Sequence, residues 1–497
     1  MLRKIRITLA ILTFAAVSLL FLDFTGTLQA WLGWLAKIQF FPAVMALNIA
    51  VVVAIIAVTL LLGRVYCSVV CPLGVFQDGV SWLSSRRKGK RRRFSYSKAK
   101  TWLRLAVLVL FIVGCFVGLG GLLDPYSAYG RMAQSLFAPV YTWANNLLAY
   151  LAERADSYAF YERDVWLRAG STLIIAAVTF VAIAVLAWRG GRTYCNTICP
   201  VGTVLGFFSR HALFLPVINA DKCRHCSLCA RSCKASCIDF KNHKIDYSRC
   251  VDCMDCVAAC KFDALHYQRR PLGAAPAAPV SPGAGDAKGA QPDTSRRAFL
   301  AGAGLILGTA VAKAAGKTVD GGLAEIVEKK APKRATHIVP PGAVSLRHLE
   351  THCTGCQLCV AVCPNDVLRP RGLMKPESSY ERGYCRPECV KCSEVCPAGA
   401  ILKISVAEKS SIQIGHAVWE GKNCIPLTDG VECGNCARHC PVGAISMVSA
   451  VAGDENSPKI PVVNEARCIG CGACENLCPA RPLSAIYVEG HEVHKTI

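Results

Sequence analysis

Cysteine is the residue type whose spacing in this sequence points most directly to chemistry. Of the 30 cysteines in the chain, 24 fall into six runs of four, numbered here in chain order. Runs one, two, three and six have the spacing C-x2-C-x2-C-x3-C, run four is C-x3-C-x2-C-x3-C, and run five is C-x8-C-x2-C-x3-C. The runs are Cys223, Cys226, Cys229 and Cys233; Cys250, Cys253, Cys256 and Cys260; Cys353, Cys356, Cys359 and Cys363; Cys385, Cys389, Cys392 and Cys396; Cys424, Cys433, Cys436 and Cys440; and Cys468, Cys471, Cys474 and Cys478.

This spacing fits an iron–sulfur cubane, because three thiolates at intervals of three residues can surround one face while the fourth reaches a neighbouring cluster. Zinc prefers two C-x2-C pairs separated by a longer gap, and disulfide frameworks belong to short secreted chains. Runs three to six end in Cys-Pro, as bacterial ferredoxin motifs do, whereas Lys234 and Lys261 follow runs one and two. We predict six [4Fe-4S] clusters and a chain that transfers electrons.

Four apolar segments are long enough to position these runs at a membrane, since a helical span takes roughly 20 residues. They extend approximately over Ile7–Leu22, Ala43–Leu62, Leu103–Leu123 and Ser171–Trp188. The formal net charge of +22 is concentrated in part between the second and third segments, over residues 86–93. Such a patch can bind nucleic acid, but between two apolar segments it favours a cytoplasmic loop, so we expect no nucleic-acid partner.

An internal repeat follows the second and fourth segments. Residues 64–74 read Arg-Val-Tyr-Cys-Ser-Val-Val-Cys-Pro-Leu-Gly, and residues 192–202 read Arg-Thr-Tyr-Cys-Asn-Thr-Ile-Cys-Pro-Val-Gly. Each half places two cysteines four residues apart, on one helix face. The sequence leaves their role open between metal ligation, redox-active thiols, contact with the next domain and plain packing, and it does not predict cluster ligands. These cysteines are Cys67, Cys71, Cys195 and Cys199.

The segment between runs two and three predicts export. Residues 269–294 are rich in Ala, Pro and Gly and read as a flexible linker. Residues 295–318 then begin with Ser-Arg-Arg-Ala-Phe-Leu and continue into a mildly apolar stretch, as a twin-arginine signal does. We expect this internal segment to stay as a membrane anchor, although Ala310-Val311-Ala312 leaves cleavage open. Folded export agrees with clusters that must be inserted before the domain leaves the cytoplasm.

The expected fold is multidomain. A polytopic α-helical membrane domain covers residues 1–210, with four spans plus the signal-anchor helix. Two α+β ferredoxin-like [4Fe-4S] domains follow, a cytoplasmic one with two clusters at 211–268 and a periplasmic one with four clusters at 335–497. The chain is thus expected to be a multi-pass protein of the bacterial inner membrane, with the lipid bilayer and the twin-arginine export machinery as partners.

The chain resembles a fusion of two partners of periplasmic nitrate reductase systems. Residues 1–268 resemble NapH in their four spans, two C-x3-C-P motifs and two cluster runs. Residues 295–497 resemble NapG and MauM in the twin-arginine leader and in the unusual spacing of runs four and five. The resemblance implies a quinol dehydrogenase module, an electron-transfer component rather than a stand-alone catalyst. Its partners would be membrane quinol and a periplasmic reductase or c-type cytochrome.

The resemblance also implies that paired runs exchange their last cysteine. Run one would take Cys260 and run two Cys233, while in the second domain run three would take Cys478, run six Cys363, and runs four and five would exchange Cys396 and Cys440. Cys237 is left over and could replace Cys233 or fill a buried site.

The sequence offers candidates for handling the quinol beyond the third span, and an ordinary turn and interfacial tyrosines explain the same residues. They are Asp124, Tyr126, Tyr129 and Arg131. Two other functions stay open: a redox factor for metalloenzyme maturation, and a relay of cytoplasmic ferredoxin electrons to the periplasm. The terminal acceptor is not encoded in these motifs.

Overall fold

The computed structural model describes residues 1–86, 94–166, 168–270, 327–454 and 456–497. Most of the predicted basic loop, the linker after residue 270 and the whole twin-arginine segment lie outside the described residues. The predictions made for those segments therefore stay predictions.

The first 210 residues form a bundle of helices. The longest, α1 and α11, have 21 residues each, and a π-helical turn at Ala133–Phe137 joins α9 to α10. The helices are α1 Leu2–Leu22, α2 Thr27–Leu32, α3 Trp34–Lys37, α4 Phe40–Met45, α5 Ile49–Leu62, α6 Val65–Val69, α7 Pro72–Ser85, α8 Thr101–Phe116, α9 Pro125–Met132, α10 Ala138–Glu153, α11 Gly170–Gly190, α12 Thr193–Thr197 and α13 Pro200–Ser209.

Among the described residues, two helices, α1 and α11, are long and apolar enough to cross a membrane. They agree with two of the four predicted segments, whereas the helices in the other two are shorter: α5 has 14 residues and α8 has 16. At 1.5 Å per residue these reach about 21 and 24 Å, short of the roughly 30 Å hydrocarbon core. The second predicted span is divided by Leu47, whose φ of 51° ends α4, and Gly118 with φ 74° follows the end of α8.

The outer faces of the bundle are apolar. The helices α1, α5, α8 and α11 each expose large aliphatic or aromatic side chains, and Phe116 at the end of α8 is 84% exposed. An apolar surface of this extent marks an interaction with lipid or protein. The inner faces meet in one core that is shared by the bundle and by parts of both cysteine-rich domains.

The domain with runs one and two contacts one end of the bundle. It comprises β1 Phe214–Ile218, α14 Leu228–Ser232, β2 Ile238–Asp239, β3 Lys244–Ile245, α15 Asp255–Ala259 and β4 Leu265–Arg269. The antiparallel pair β1–β4 joins the two ends of this domain, and β2 and β3 pair in its middle. At the start of α1, Arg3 pairs with Asp255 at 2.7 Å, and at the start of α8, Arg104 donates to Ser248 at 3.1 Å. Two backbone hydrogen bonds add to these contacts. The N–H of Leu213 donates to Leu60 O in α5 at 2.8 Å, and that of Arg192, after α11, donates to Lys234 O at 2.9 Å.

The domain with runs three to six contacts the opposite end. Its two-stranded antiparallel sheets are β5–β6, β8–β9 and β7–β10. Lys391 donates to Thr25 O beyond α1 at 3.2 Å, and Ser171 at the start of α11 donates to Gly372 O at 2.6 Å. The elements are α16 Leu346–His352, α17 Leu358–Val362, β5 Leu368–Arg371, β6 Lys375–Ser378, α18 Lys391–Val395, α19 Val406–Ser411, β7 Ile412–Trp419, α20 Ile425–Thr428, α21 Asn435–Arg438, β8 Ile445–Ser449, β9 Lys459–Val463, α22 Ala473–Leu477 and β10 Ile486–Thr496.

Candidate iron–sulfur centres

The four regular runs share one backbone conformation. In each, the residue before the second cysteine and the residue after it both have positive φ. A short helix that carries the third cysteine then begins. Left-handed residues of this kind turn successive N–H groups into an anion-binding concavity, as found around iron–sulfur clusters. The positions are His225 and Ser227, Asp252 and Met254, Gly355 and Gln357, and Gly470 and Gly472.

The looser runs reach their ligand positions differently. Val390 has φ −116° and Gly434 φ −170°, so the residue after the second cysteine of run four and the one after Cys433 of run five are not left-handed. Within the described residues, no three or more His, Cys, Asp or Glu side chains are grouped so as to hold a single metal ion.

Runs one and two exchange their last cysteine in the combination expected. One cavity is lined by Cys223, Cys226 and Cys229 together with Cys260. A second cavity is lined by the first three cysteines of run two together with Cys233. Each cavity thus gathers four thiols and little other polar lining, a donor set that fits a [4Fe-4S] cluster.

The second cavity contains a fifth thiol. Cys237 is buried, and its sulfur lies 3.5 Å from the sulfur of Cys233. It also interacts electrostatically with Cys250. Of the two explanations left open by the sequence, the structure places Cys237 where it can replace Cys233.

The predicted ligand exchange in the four-run domain is wrong. Cys396, and not Cys478, lies beside Cys353, Cys356 and Cys359. Cys363 shares a cavity with the first three cysteines of run four, and Cys440 shares one with those of run six. The last cysteine of run six, Cys478, interacts with run five. Exchange therefore occurs between sequence neighbours, three with four and five with six, because α17 packs on α18 and α21 on α22.

The two pairs of runs also contact each other. The N–H of Cys385 in run four donates to the carbonyl oxygen of Cys471 in run six at 2.9 Å. At the other end of the domain, the backbone around Cys356 in run three meets the bundle, where the guanidinium of Arg131 lies 3.4 Å from Gly355 O. A Cβ at Gly130 would collide with Cys356 O, so the approach requires glycine. Backbone contacts thus link the cysteine runs of this domain to one another and to the bundle.

Lys234 shows why run one lacks the usual proline. Its ammonium lies 2.9 Å from Asp255 and 3.5 Å from Asp78 of α7, and its carbonyl oxygen accepts from Arg192 N–H. Burial favours the protonated form of Asp78, but Arg192, Lys234 and Arg6 outweigh it and hold the pKa of this carboxyl well below its usual value. A proline at position 234 would remove this cross-link between the domain and the bundle.

The predicted quinol residues lie on α9 or at its N-cap, and all four are buried. Asp124 accepts hydrogen bonds from the N–H and hydroxyl of Ser127 at 2.8 and 2.7 Å. Burial raises the pKa of the Asp124 carboxyl to about 6, against the lowering effect of Ser127 and Arg131. Tyr129 bonds Ser18 at 2.5 Å, and the Tyr126 hydroxyl has no partner among the described residues. Their part in quinol handling stays a prediction.

A cavity that the sequence did not predict lies close to these residues of α9, on the other side of Phe21. It is bounded by the end of α1, the π-helical turn, the starts of α10 and α11, and the helix of run three. Gln357, which follows Cys356, lines this cavity, and its buried amide nitrogen has no hydrogen-bond partner among the described residues. Phe21 separates the cavity from Tyr126 and Tyr129, against which its ring packs at 5.6 and 6.3 Å. A π-helical turn, frequent at functional sites, could not be read from the sequence.

The four cysteines of the internal repeat are buried in the shared core of the bundle. They come from four different positions, α6, α12 and the N-caps of α7 and α13. The structure brings them together, since the thiol of Cys199 interacts electrostatically with those of Cys195, Cys71 and Cys67.

Family models for iron–sulfur domains match several parts of the chain. One described as a 4Fe-4S binding domain matches residues 44–91 and 172–217, another of that description matches 243–266 and 348–369, and a 4Fe-4S dicluster domain matches 431–481. No solved structure matches the chain.

Curated relatives are distant. The chain is 32% identical over 94 residues to an uncharacterized protein of Methanocaldococcus jannaschii, covering 19% of this chain and 37% of the relative. It is 26% identical over 220 residues to YccM of Escherichia coli, which covers 44% of this chain and 55% of YccM. It is 28% identical over 162 residues to the ferredoxin-type protein NapF of Escherichia coli, 32% of this chain and 90% of NapF. The chain therefore spans about half or less of the first two relatives.

The cysteine geometry and these matches agree that the chain contains several 4Fe-4S binding domains. It is distantly similar to the ferredoxin-type proteins NapF and MauM and to YccM, which is described as a putative electron transport protein.

Proposed function

We propose that the protein oxidises membrane quinol and delivers the electrons to a periplasmic reductase or c-type cytochrome. Six [4Fe-4S] clusters bound by the six runs supply single-electron carriers. The bundle crosses the bacterial inner membrane with α1, α5, α8 and α11 as four spans, and a local thinning of the bilayer accommodates the two short helices. Runs one and two then face the cytoplasm, and runs three to six face the periplasm after twin-arginine export.

The observation that supports this proposal most directly is that run three contacts the outer end of the bundle, beside the cavity that Gln357 lines. A quinol head group needs an apolar slot with a few polar groups that fix its orientation. The cavity offers Phe21 and Leu173 as apolar walls, and Gln357 as an amide donor without a protein partner. An unpaired buried donor is costly, so a ligand oxygen at this point is favoured.

Carboxylates near the cavity suit the two protons that quinol releases on oxidation. Asp366 lines the cavity and lies 3.5 Å from Arg163 and 3.6 Å from Arg168. These ion pairs orient the carboxylate, which can accept a hydrogen bond from a quinol hydroxyl. Arg168 also donates to Gln134 at 2.7 Å and to Val360 O at 3.1 Å, which fixes the outer loop on the helix of run three.

Filling the cavity tests the proposal. Oxidised, detergent-solubilised full-length protein is mixed anaerobically with a soluble quinol, and reduction is followed by loss of visible absorbance. Ala138→Trp, at the cavity wall, should lower the reduction rate at least tenfold, whereas Ala144→Trp on the exposed face of the same helix should not. Gln357→Met should raise the quinol concentration needed for half-maximal rate. All proteins should be reduced equally by dithionite, and a wild type that quinol does not reduce would refute the proposal.

One observation is equally consistent with the opposite direction of electron flow. Runs two and three both contribute to the same bundle core, through Cys253 and Cys356. Electrons from a cytoplasmic ferredoxin-type donor could therefore enter at runs one and two and leave through runs three to six. Reduction of the protein by such a donor in sealed, inside-out vesicles, with an impermeant oxidant trapped in the lumen, distinguishes this direction.

A further inference from the structure

The two halves of the internal repeat have the same local structure. Cys67 lies on α6 and Cys195 on α12, while Cys71 and Cys199 are the extended N-caps of helices that begin with proline. All four side chains are at least nine-tenths buried. The extended N-cap conformation places each of these two cysteines at the start of its helix, and the sulfur of Cys199 accepts a hydrogen bond from Gly202 N–H at 3.3 Å.

The arginines that open each half cross over to the other. Arg192 donates to the carbonyl oxygen of Cys67 at 2.6 Å, and Arg64 lies 3.4 Å from that of Cys195. A Cβ at Gly74 would collide with Cys67 O, and one at Gly202 with Cys195 O. The two C-x3-C-P-x-G motifs are thus interlocked around an approximate twofold relation, which gathers the four thiols into one group.

Arg64 carries a buried charge that the described protein groups leave without a carboxylate partner. Its side chain is 0% exposed, its Nε has no partner, and its other nitrogens face Ser248 O at 3.0 Å, Asn196 Oδ1 at 3.4 Å and the sulfur of Cys67 at 3.8 Å. Asp252 accepts from the backbone N–H of Arg64 instead. Buried charges are normally paired, and an anionic group bound by the adjacent thiols would supply the missing charge.

The four repeat cysteines lie between the two cysteine-rich domains. On one side Arg64 contacts Ser248 and Asp252, which flank Cys250 of run two. On the other, Tyr194 follows Arg192 along the repeat and donates to Leu123 O at 3.0 Å, just before α9. Run three contacts α9 itself, because Arg131 lies 3.4 Å from Gly355 O.

We propose that Cys67, Cys71, Cys195 and Cys199 together bind a further iron–sulfur cluster in the centre of the helical bundle. Four soft thiolates are ligands for such clusters, and each thiol loses its proton when its sulfur bonds to iron. A 4Fe-4S family model covers both halves of the repeat, and these four are the only cysteines within the matched segments. The centre takes one electron from the reduced group of run two and passes one to the oxidised group of run three, or the reverse, and so returns to its starting state. This role builds on the proposed six-cluster relay.

Metal analysis of the full-length protein tests the proposal. Anaerobically purified wild type should contain about 28 iron atoms per chain for a seventh [4Fe-4S] cluster, or about 26 for a [2Fe-2S] cluster, and not 24. The Cys67→Ala/Cys195→Ala double variant should lose that excess of iron and one component of the electron paramagnetic resonance spectrum of the reduced protein. Cys115→Ala, at a half-buried cysteine of α8 outside every run, is the matched control and should keep both.

Three results overturn the proposal: 24 iron atoms in the wild type, unchanged iron in the double variant, or about one zinc or copper per chain that the double variant loses. Because the wild-type count needs no mutation, a double variant that fails to fold leaves the test intact. Iron content reports on this centre, whereas reduction by quinol reports on the proposed function, so either can fail without the other.

Discussion

The guanidinium of Arg192 binds the carboxylate of Asp78 through two nitrogens, at 2.8 and 2.9 Å. Arg192 opens the second half of the internal repeat, Asp78 lies on α7 just after the first half, and the same carboxylate also accepts from Arg6 of α1 at 2.9 Å. Lys234 of the two-run domain completes the network at 3.5 Å. A single, largely buried acid on α7 therefore holds together the start of α1, the second repeat half and the neighbouring domain.

Asp78→Asn should destabilise the protein strongly. Removing one partner of a buried charge network leaves the other charges uncompensated, which typically costs about 3–5 kcal/mol. Thermal unfolding in detergent, followed by circular dichroism, measures the change. Asp263→Asn is the control, because that side chain is 79% exposed and pairs with His266. Equal midpoints for the two variants would show that the network does not stabilise the fold.

The Asp78 carboxylate should also make the stability of the protein depend on pH in the acid range. Its pKa is lowered in the folded protein, so its stabilisation is present above the unfolded value, near 4, and is lost as pH falls toward the folded value. The difference in stability between wild type and Asp78→Asn should therefore shrink between about pH 5 and pH 2. Unfolding by urea across this range measures it, and a constant difference would contradict the assigned ion pairs.

The sequence predicts the local features of this molecule better than its long-range ones. The cysteine spacing defines each run, and the repeated Arg-x-Tyr-Cys motif indicates two equivalent halves. It does not show that Cys396 rather than Cys478 joins run three, because every run supplies a similar fourth cysteine and the choice depends on how α17 packs on α18. Nor does it show that Asp124 and Arg131 are buried, since polar residues after an apolar segment normally face water.

Asp124 should make the protein less stable as pH rises. Its pKa is raised from 3.8 to about 6 by burial, so the folded protein holds a proton that the unfolded chain has lost in that interval. The shift corresponds to roughly 3 kcal/mol of folding stability, which is lost as the pH rises from about 4 to about 6. Above that range this group no longer changes the stability. Asp124→Asn keeps an N-cap acceptor for Ser127 and should remove this slope. Parallel pH profiles of the two proteins, from chemical unfolding, would contradict the raised pKa.

Cys237 should rescue the loss of its neighbour. With sulfur atoms 3.5 Å apart, Cys237 can replace Cys233 as the fourth ligand of the group formed with run two. Cys233→Ala should keep the wild-type iron content, whereas Cys233→Ala/Cys237→Ala should lose about four iron atoms per chain. Cys229→Ala in run one has no such neighbour in its cavity and serves as the control for loss. Iron loss in the single Cys233 variant equal to that of the double variant would exclude the rescue.

Double variants distinguish the observed ligand exchange, between runs three and four and between runs five and six, from the nested exchange expected from the sequence, in which run three pairs with run six and run four with run five. Cys353 and Cys396 belong to one group in the structure, so Cys353→Ala/Cys396→Ala should lose no more iron than either single variant, about four atoms per chain. Cys353→Ala/Cys478→Ala removes ligands from two groups and should lose about eight. Nested exchange predicts the reverse for these two pairs. Iron analysis of the two double variants, beside the single variants, therefore distinguishes the two arrangements. They assign Cys396 and Cys478 to different clusters and predict different iron contents for both double variants.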